Sequence, residues 1–186
     1  SLVDAVEQCS SIVPIELLVN VDHPAEHAVW AALANNHTGN FSIVPVFSPN
    51  VHEARGYNRL AWLARGRYLV VLQDDEKIPS PCTWLRSMIT IFERWPNVAM
   101  VGLRNFVFGW DHAHFNNARM WFRDPVTKVA MQFVFLADYA PVALRRTAFK
   151  AVGGIDEGLM EPGECAIQTD WELCKRLWLA GDQVAY

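Results

Sequence analysis

Five apolar residues, Tyr68 to Leu72, run straight into Gln73-Asp74-Asp75-Glu76. An uninterrupted apolar run of this length, bounded by Gly66 on one side and by Pro79 and Pro81 on the other, reads as a strand buried on both faces. Such strands belong to parallel sheets covered by helices. In open parallel sheets, ligands bind just beyond the carboxyl ends of the strands. Here that end carries three acids in succession, whose mutual repulsion a hard divalent cation would relieve. Mg²⁺ and Mn²⁺ prefer oxygen ligands of this kind. A solvated acidic turn is the alternative that the run alone leaves open.

The flanking sequence repeats the pattern of strand and helix. Leu2 to Cys9 reads as the end of a helix, Ile15 to Val21 as a strand, and Ala25 to Leu33 as an Ala-rich helix. Phe41 to Phe47 is a further strand, in which Pro45 is awkward. His52 to Arg65 is an amphipathic helix with Ala54, Tyr57, Ala61 and Ala64 on one face, and Gly66 stands where a helix cap is expected. Strands and helices alternating with short links imply βαβ units with right-handed crossovers. After the acids, Thr83 to Trp95 reads as a helix with Leu85, Met88, Ile89 and Phe92 on its apolar stripe, and Val98 to Leu103 as a strand. Strands are expected over Val129 to Leu136 and Val142 to Arg145. Short helices are expected over Arg146 to Val152 and Thr169 to Ala180, the latter stopped by Gly181.

Two stretches break the periodicity. Asn105 to Pro125 interleaves Phe and Trp with His and Asn; its aromatics are either core or the lining of a ligand groove. Glu157 to Ile167 reads as a mobile loop.

With 186 residues, one domain is the natural expectation. The hydrophobic content of 52% suffices for a sizeable core. A net charge of −4 and the absence of a basic tract argue against nucleic acid as a partner. No apolar run is long enough to span a membrane, so membrane association is not visible in this segment. The chain opens in what reads as a helix and closes in a strand, so its ends look cut. None of the four cysteines forms a C-x-x-C pair or sits at zinc spacing, which makes free buried thiols the default. Asn36-His37-Thr38 and Asn40-Phe41-Ser42 are glycosylation sequons and hint at a secretory compartment.

Three segments in order carry a resemblance. Asn58 to Asp75 is similar to the "N…A-x-G-x-Y-hydrophobic-D-x-D" segment of family 2 glycosyltransferases. Ala143 to Glu157 resembles their "R-R-x-A-F…G-G-F-D-E" segment, and Thr169 to Leu177 their "E-D-x-D-L-x-x-R-L" helix. The resemblance implies an α/β GT-A fold, a nucleotide-binding sandwich with a mostly parallel twisted sheet and helices on both faces. It implies transfer of a sugar from a nucleotide-diphosphate sugar, a UDP-sugar first, to a hydroxyl of a carbohydrate, lipid or protein acceptor, with inversion. It places the family's first strand before residue 1 and leaves open whether part of the domain follows residue 186.

Residue by residue, the resemblance makes Asp75 the ligand of Mn²⁺ or Mg²⁺ on the diphosphate, and Asp170 the general base. Asp22, Arg55, Asn58 and Asp74 fall on the nucleotide-sugar side, and Trp171 and Glu164 on the acceptor side. Two positions depart from the pattern: Gln73 replaces the first acid of D-x-D, and Thr169 replaces the acid before Asp170. Thr169-Asp170-Trp171-Glu172 also reads as a capping box, with Thr169 as N-cap and Glu172 reaching back to it. A helix N-terminus there would lower the pKa of Asp170. A nucleotidyltransferase with a similar sheet and a non-catalytic sugar- or nucleotide-binding domain of the same fold are the rival readings.

Overall fold

The computed structural model describes residues 1–73, 76–103, 121–139, 141–161, 164 and 168–186. The chain starts with helix α1 (Leu2–Cys9), whose N-cap Ser1 and Asp4 form a reciprocal capping box. Strand β1 (Ile15–Val21) then runs parallel to β2 (Phe41–Phe47), in register from Ile15 opposite Phe41 to Val21 opposite Phe47. Parallel neighbours need a crossover. It is supplied by a 3-10 turn at Pro24–Glu26 and helix α2 (His27–Asn36). Among the described residues β2 pairs with β1 alone, and an edge strand tolerates Pro45, which has no N–H to offer.

Helix α3 (His52–Leu63) leads into β3 (Tyr68–Val71). Its end differs from the expected glycine cap. The chain leaves the helix at Ala64, with φ −58° and ψ 137°, and Gly66 lies beyond. Gly66 instead accommodates a close approach, since a Cβ there would stand 3.1 Å from the carbonyl oxygen of Tyr68.

The main sheet has the order β3-β7-β4-β8, where β4 is Val98–Gly102, β7 is Val142–Arg145 and β8 is Gln183–Ala185. Strand β7 is antiparallel to both β3 and β4, while β8 is parallel to β4. Strands β3, β4 and β8 therefore point one way, and β7 alone runs back between them. Three apolar residues buried on both faces carry no mark of strand direction, so the sequence shows β7 without its polarity. A small antiparallel ribbon, β5 (Trp121–Arg123) with β6 (Ala130–Gln132), adjoins the sheet through backbone bonds between Gln132 and Tyr186.

Helices cover both faces of this sheet, as the α/β pattern requires. Met100 and Leu144 turn to the side occupied by Ala54 of α3, by Phe149 of α5 (Arg146–Ala151) and by Leu173 and Leu177 of α6 (Thr169–Leu179). Val101 and Ala143, one residue along, turn to the opposite side and meet Leu85, Met88, Ile91 and Phe92 of α4 (Thr83–Arg94). The period of two along the strands thus decides which helix each residue meets. On α4, Ile91 is fully buried while Ile89 is only partly so, which widens the expected stripe. Each side chain of this size contributes about 1.5–3 kcal/mol when fully buried.

The cysteines depart from expectation. Cys9, at the end of α1, and Cys82, just before α4, form a disulfide with a Cα–Cα distance of 5.3 Å across 73 residues of sequence. No spacing signature announces a bridge of that reach. Cys174 is free and buried, and Cys165 lies outside the described residues.

Candidate active site

A cavity of about 1180 Å³ separates β1 from β3. Its body is apolar, but one end is lined by Asn20, Asp22, Asn50, His52, Glu53 and Gln73. These residues stand at the carboxyl ends of β1 and β3 and at the first turn of α3, the place where open α/β sheets bind ligands. They are partly ordered by one another. Ser48 Oγ donates to Asn20 Oδ1 at 2.9 Å, and Arg59 reaches the same oxygen at 3.4 Å. Gln73 Nε2 donates to Glu53 Oε1 at 3.0 Å, so the departure from D-x-D replaces an acid with a donor that neutral or anionic oxygens can use. Asp22 is exposed at this mouth.

Two residues placed on the nucleotide-sugar side have contacts within the protein. Asn58 is buried, donates to the Ile155 carbonyl and to Glu157 Oε1 at 2.8 Å each, and accepts from the Ile155 amide at 2.8 Å. Gly154 sits against it with φ +76°, and a Cβ there would lie 2.7 Å from Asn58 Oδ1. The Asn and the glycine pair therefore go together for a steric reason. Arg55 donates to the carbonyls of Glu157, Met160 and Glu161 and faces the Glu157 carboxylate at 3.6 Å. Both residues of α3 thus hold the segment that leads from the sheet toward α6. The expected mobile loop is a bonded turn over Glu157–Leu159, pinned by Arg55; its residues 162–163 and 165–167 lie outside the described residues.

Asp170 occupies the first turn of α6 and is half-buried. Trp171 N–H donates to its Oδ1 at 2.8 Å. Burial pushes its pKa above the usual carboxylate range, and the nearby charge of Asp138 adds to the effect; the backbone N–H groups of Trp171 and Tyr139 oppose it. This corrects the expected lowering at a helix N-terminus, because desolvation outweighs the amides. The capping box is also corrected. The residue before the helix is Gln168, in the left-handed region at φ 69°, and it makes no side-chain cap. Thr169 is already helical and buried, while Glu172 makes a two-pronged ion pair with Arg176, four residues on, at 2.6 Å per contact.

Tyr139 connects the two halves of the site. Its ring packs edge-on against Tyr57 at 5.7 Å, it lines the cavity between β1 and β3, and its backbone N–H serves Asp170. Burial first, then the charge of Asp170, holds its phenol protonated. Behind it, the Cys174 thiol accepts from the Ala137 amide at 3.3 Å, and burial pushes that thiol up to about 12.

No family model and no curated protein matches this sequence. Solved structures do match its fold. The crystal structure of GalNAc-T7 with UDP, GalNAc and Mn²⁺ aligns with 94% of this chain at a TM-score of 0.65 and 12% identity. The fold is of the GT-A type. This chain spans 36% of that one, a little over a third of its length.

On this GT-A fold the remaining predicted residues fall as follows. Asp75, expected to hold the metal, and Asp74, expected on the nucleotide-sugar side, lie outside the described residues, as does most of the aromatic stretch from Asn105 to Pro125. Within that stretch Phe122 packs between Trp95 and Phe133, as core. Trp171 is half-buried beside Asp170. Glu164 is exposed and accepts from the amide of Glu161 at 3.0 Å. Among the described residues no three metal-ligating side chains converge. The mouth offers hard oxygen donors from Asp22, Glu53 and Asn50, the donor chemistry that Mn²⁺ and Mg²⁺ take. Asp138 and Asn20 are the residues that sequence reading missed. Asp138 lies in a stretch with neither period nor motif, so only the fold brings its charge to Asp170.

Proposed function

We propose that this chain is the donor-binding and catalytic part of a glycosyltransferase allied to family 2, one that moves a sugar from a UDP-sugar to an acceptor hydroxyl with inversion. The observation that carries the reading is a single cavity. It reaches from Asp22 and Gln73 at the strand ends to Tyr139, whose amide holds Asp170. A neighbour of the same fold, solved with UDP, GalNAc and Mn²⁺, supports a nucleotide-sugar donor.

In this reading Asp170 takes the proton of the acceptor hydroxyl. The hydroxyl oxygen attacks the anomeric carbon from the face opposite the diphosphate, and the bond to the diphosphate breaks with its electron pair. One displacement inverts the carbon. A base works best with its pKa displaced toward the working pH, and burial moves Asp170 in that direction. Asp75 would hold Mn²⁺ or Mg²⁺, which when bound neutralises the leaving diphosphate. Asp22 and Asp74 contact the nucleotide, and Trp171 and Glu164 the acceptor. Arg55 and Asn58 act at one remove, fixing the turn before α6 so that Asp170 arrives at a set depth; misplacement by about 1 Å can cost 10²-fold in rate.

Titration of the protein with UDP, with and without Mn²⁺, tests the donor side. Metal-dependent binding is expected, and binding indifferent to both nucleotide and metal would remove the proposal's basis.

A further inference from the structure

We propose that Asn36 carries an N-linked oligosaccharide, so that this polypeptide matures in an oxidising compartment of the secretory route.

Two sequons adjoin in the turn between α2 and β2, Asn36-His37-Thr38 and Asn40-Phe41-Ser42. Such tripeptides arise by chance, so their placement decides whether one is used. A glycan is bulky and needs an asparagine at the surface. Asn36 is the last residue of α2, and the chain leaves the helix at His37, which is extended at φ −114° and ψ 95°. The His37 ring is turned inward. Its Nδ1 lies 2.7 Å from the Leu33 carbonyl oxygen, its Nε2 lies 3.8 Å from Glu7 Oε2, and the ring meets Phe41 edge-on at 5.3 Å. Asn36 and Thr38, on either side of it, are exposed. The anchored histidine thus leaves the amide and the hydroxyl of one sequon in solvent. The turn also has room around it: a Cβ built on Gly39, at φ +104°, would meet nothing within 4 Å.

The second sequon is placed differently. The Asn40 carbonyl accepts from the Ile15 amide at 2.8 Å, Phe41 is buried, and Ser42 stands in β2 opposite Glu16. Once β1 and β2 pair, this tripeptide is held in the sheet, while the one at Asn36 stays presented outside any strand. One glycan, on Asn36, is therefore the expected state.

The disulfide speaks independently for the compartment. Bridges persist in oxidising surroundings such as the lumen of the endoplasmic reticulum, where Asn-linked glycans are attached, and are rare where thiols are kept reduced. Cys9 and Cys82 are bridged across 73 residues of sequence. In the modification, which another enzyme of the cell carries out, the Asn36 amide nitrogen attacks the anomeric carbon of a lipid-diphosphate-linked oligosaccharide. The carbon–oxygen bond to the diphosphate breaks with its electron pair, and the nitrogen gives up one proton. The glycan does not obstruct the polar mouth. Its turn stands at the amino end of β2, and Asp22 follows the carboxyl end of the parallel β1, about 20 Å away at ~3.3 Å per residue.

The test uses full-length protein isolated from the cells that make it, treated with peptide N-glycosidase in heavy-oxygen water and mapped by mass spectrometry. The glycosidase converts a glycosylated asparagine to aspartate and marks it with heavy oxygen; a digest without the glycosidase controls for spontaneous deamidation. The mark is expected at Asn36 and not at Asn40. Thr38→Ala, made in the same cells, is expected to abolish it although Asn36 is still present, and Thr38→Ser to keep it. An unreduced map should contain the peptides of Cys9 and Cys82 joined. A mark at Asn40, a mark at neither asparagine, or one at Asn36 that survives Thr38→Ala would overturn the proposal, and free thiols at Cys9 and Cys82 would overturn the compartment. The outcome does not depend on sugar transfer by this chain.

Discussion

Asp170→Asn changes a carboxylate to a carboxamide of the same shape. The oxygen that accepts from the Trp171 amide at 2.8 Å is kept, so the local geometry has no reason to shift. The proton acceptor is lost. Removal of a general base lowers kcat ~10²–10⁴-fold, and UDP and Mn²⁺ affinity should stay near wild type because no donor contact is touched. Stability follows from the pKa direction. Burial, then the charge of Asp138, raises the folded pKa of Asp170 above 3.8. A raised acid favours the folded state at pH values below its unfolded pKa and loses that contribution as pH rises through the folded pKa. At neutral pH the ionised group is therefore a liability, and the Asn variant should unfold at the wild-type temperature or above. The rate itself gives a second readout. The acid limb of the wild-type kcat/KM profile should lie above pH 3.8, and Asp138→Asn should move it down by removing a neighbouring negative charge. Single-turnover assays across pH, with thermal unfolding alongside, would measure all of this. A folded Asn variant that binds UDP with metal and transfers sugar at near wild-type rate would refute the assignment, and Glu164 would be tested next.

Asp75→Asn should sharply weaken Mn²⁺-supported UDP binding while Asp74→Asn does less, as calorimetry with both variants would show. Gly154→Ala should lower the melting temperature and the rate together: the position has φ +76° and the new Cβ would meet Asn58 Oδ1 at 2.7 Å. The strained backbone alone costs about 1–3 kcal/mol, readable in a urea titration. Reducing the Cys9–Cys82 bridge should cost about 2–4 kcal/mol, measured as a fall in the urea midpoint on adding dithiothreitol to protein made in an oxidising compartment. No change in that midpoint would mean that the bridge does not form.

The helices and most strands were legible because their signals are local. The run from Ile15 to Val21 and the stripe of α4 reflect neighbours a few residues away, and both elements form where the pattern puts them. The return of β7, the Cys9–Cys82 bridge and the approach of Asp138 to Asp170 depend on contacts between distant segments, which leave no period behind. Asn58 stands in one motif and Gly154 in another, and the fold brings the two together as steric partners. The capping box at Thr169 failed for a different reason. Its residue types fit the rule, but burial of Thr169 and the pull of Arg176 on Glu172 outweigh a local bond. The same competition, desolvation against backbone amides, reverses the expected pKa direction of Asp170.

Under the proposed function, the site at the strand ends and Asp170 together turn over a nucleotide sugar. The most direct measurement is UDP release from a panel of UDP-sugars in the presence of Mn²⁺, with wild type and Asp170→Asn side by side. Release from at least one donor is expected, stimulated by acceptor and reduced ~10²–10⁴-fold in the variant. Metal-dependent UDP binding with no release from any donor would contradict it and leave a binding domain of the same fold.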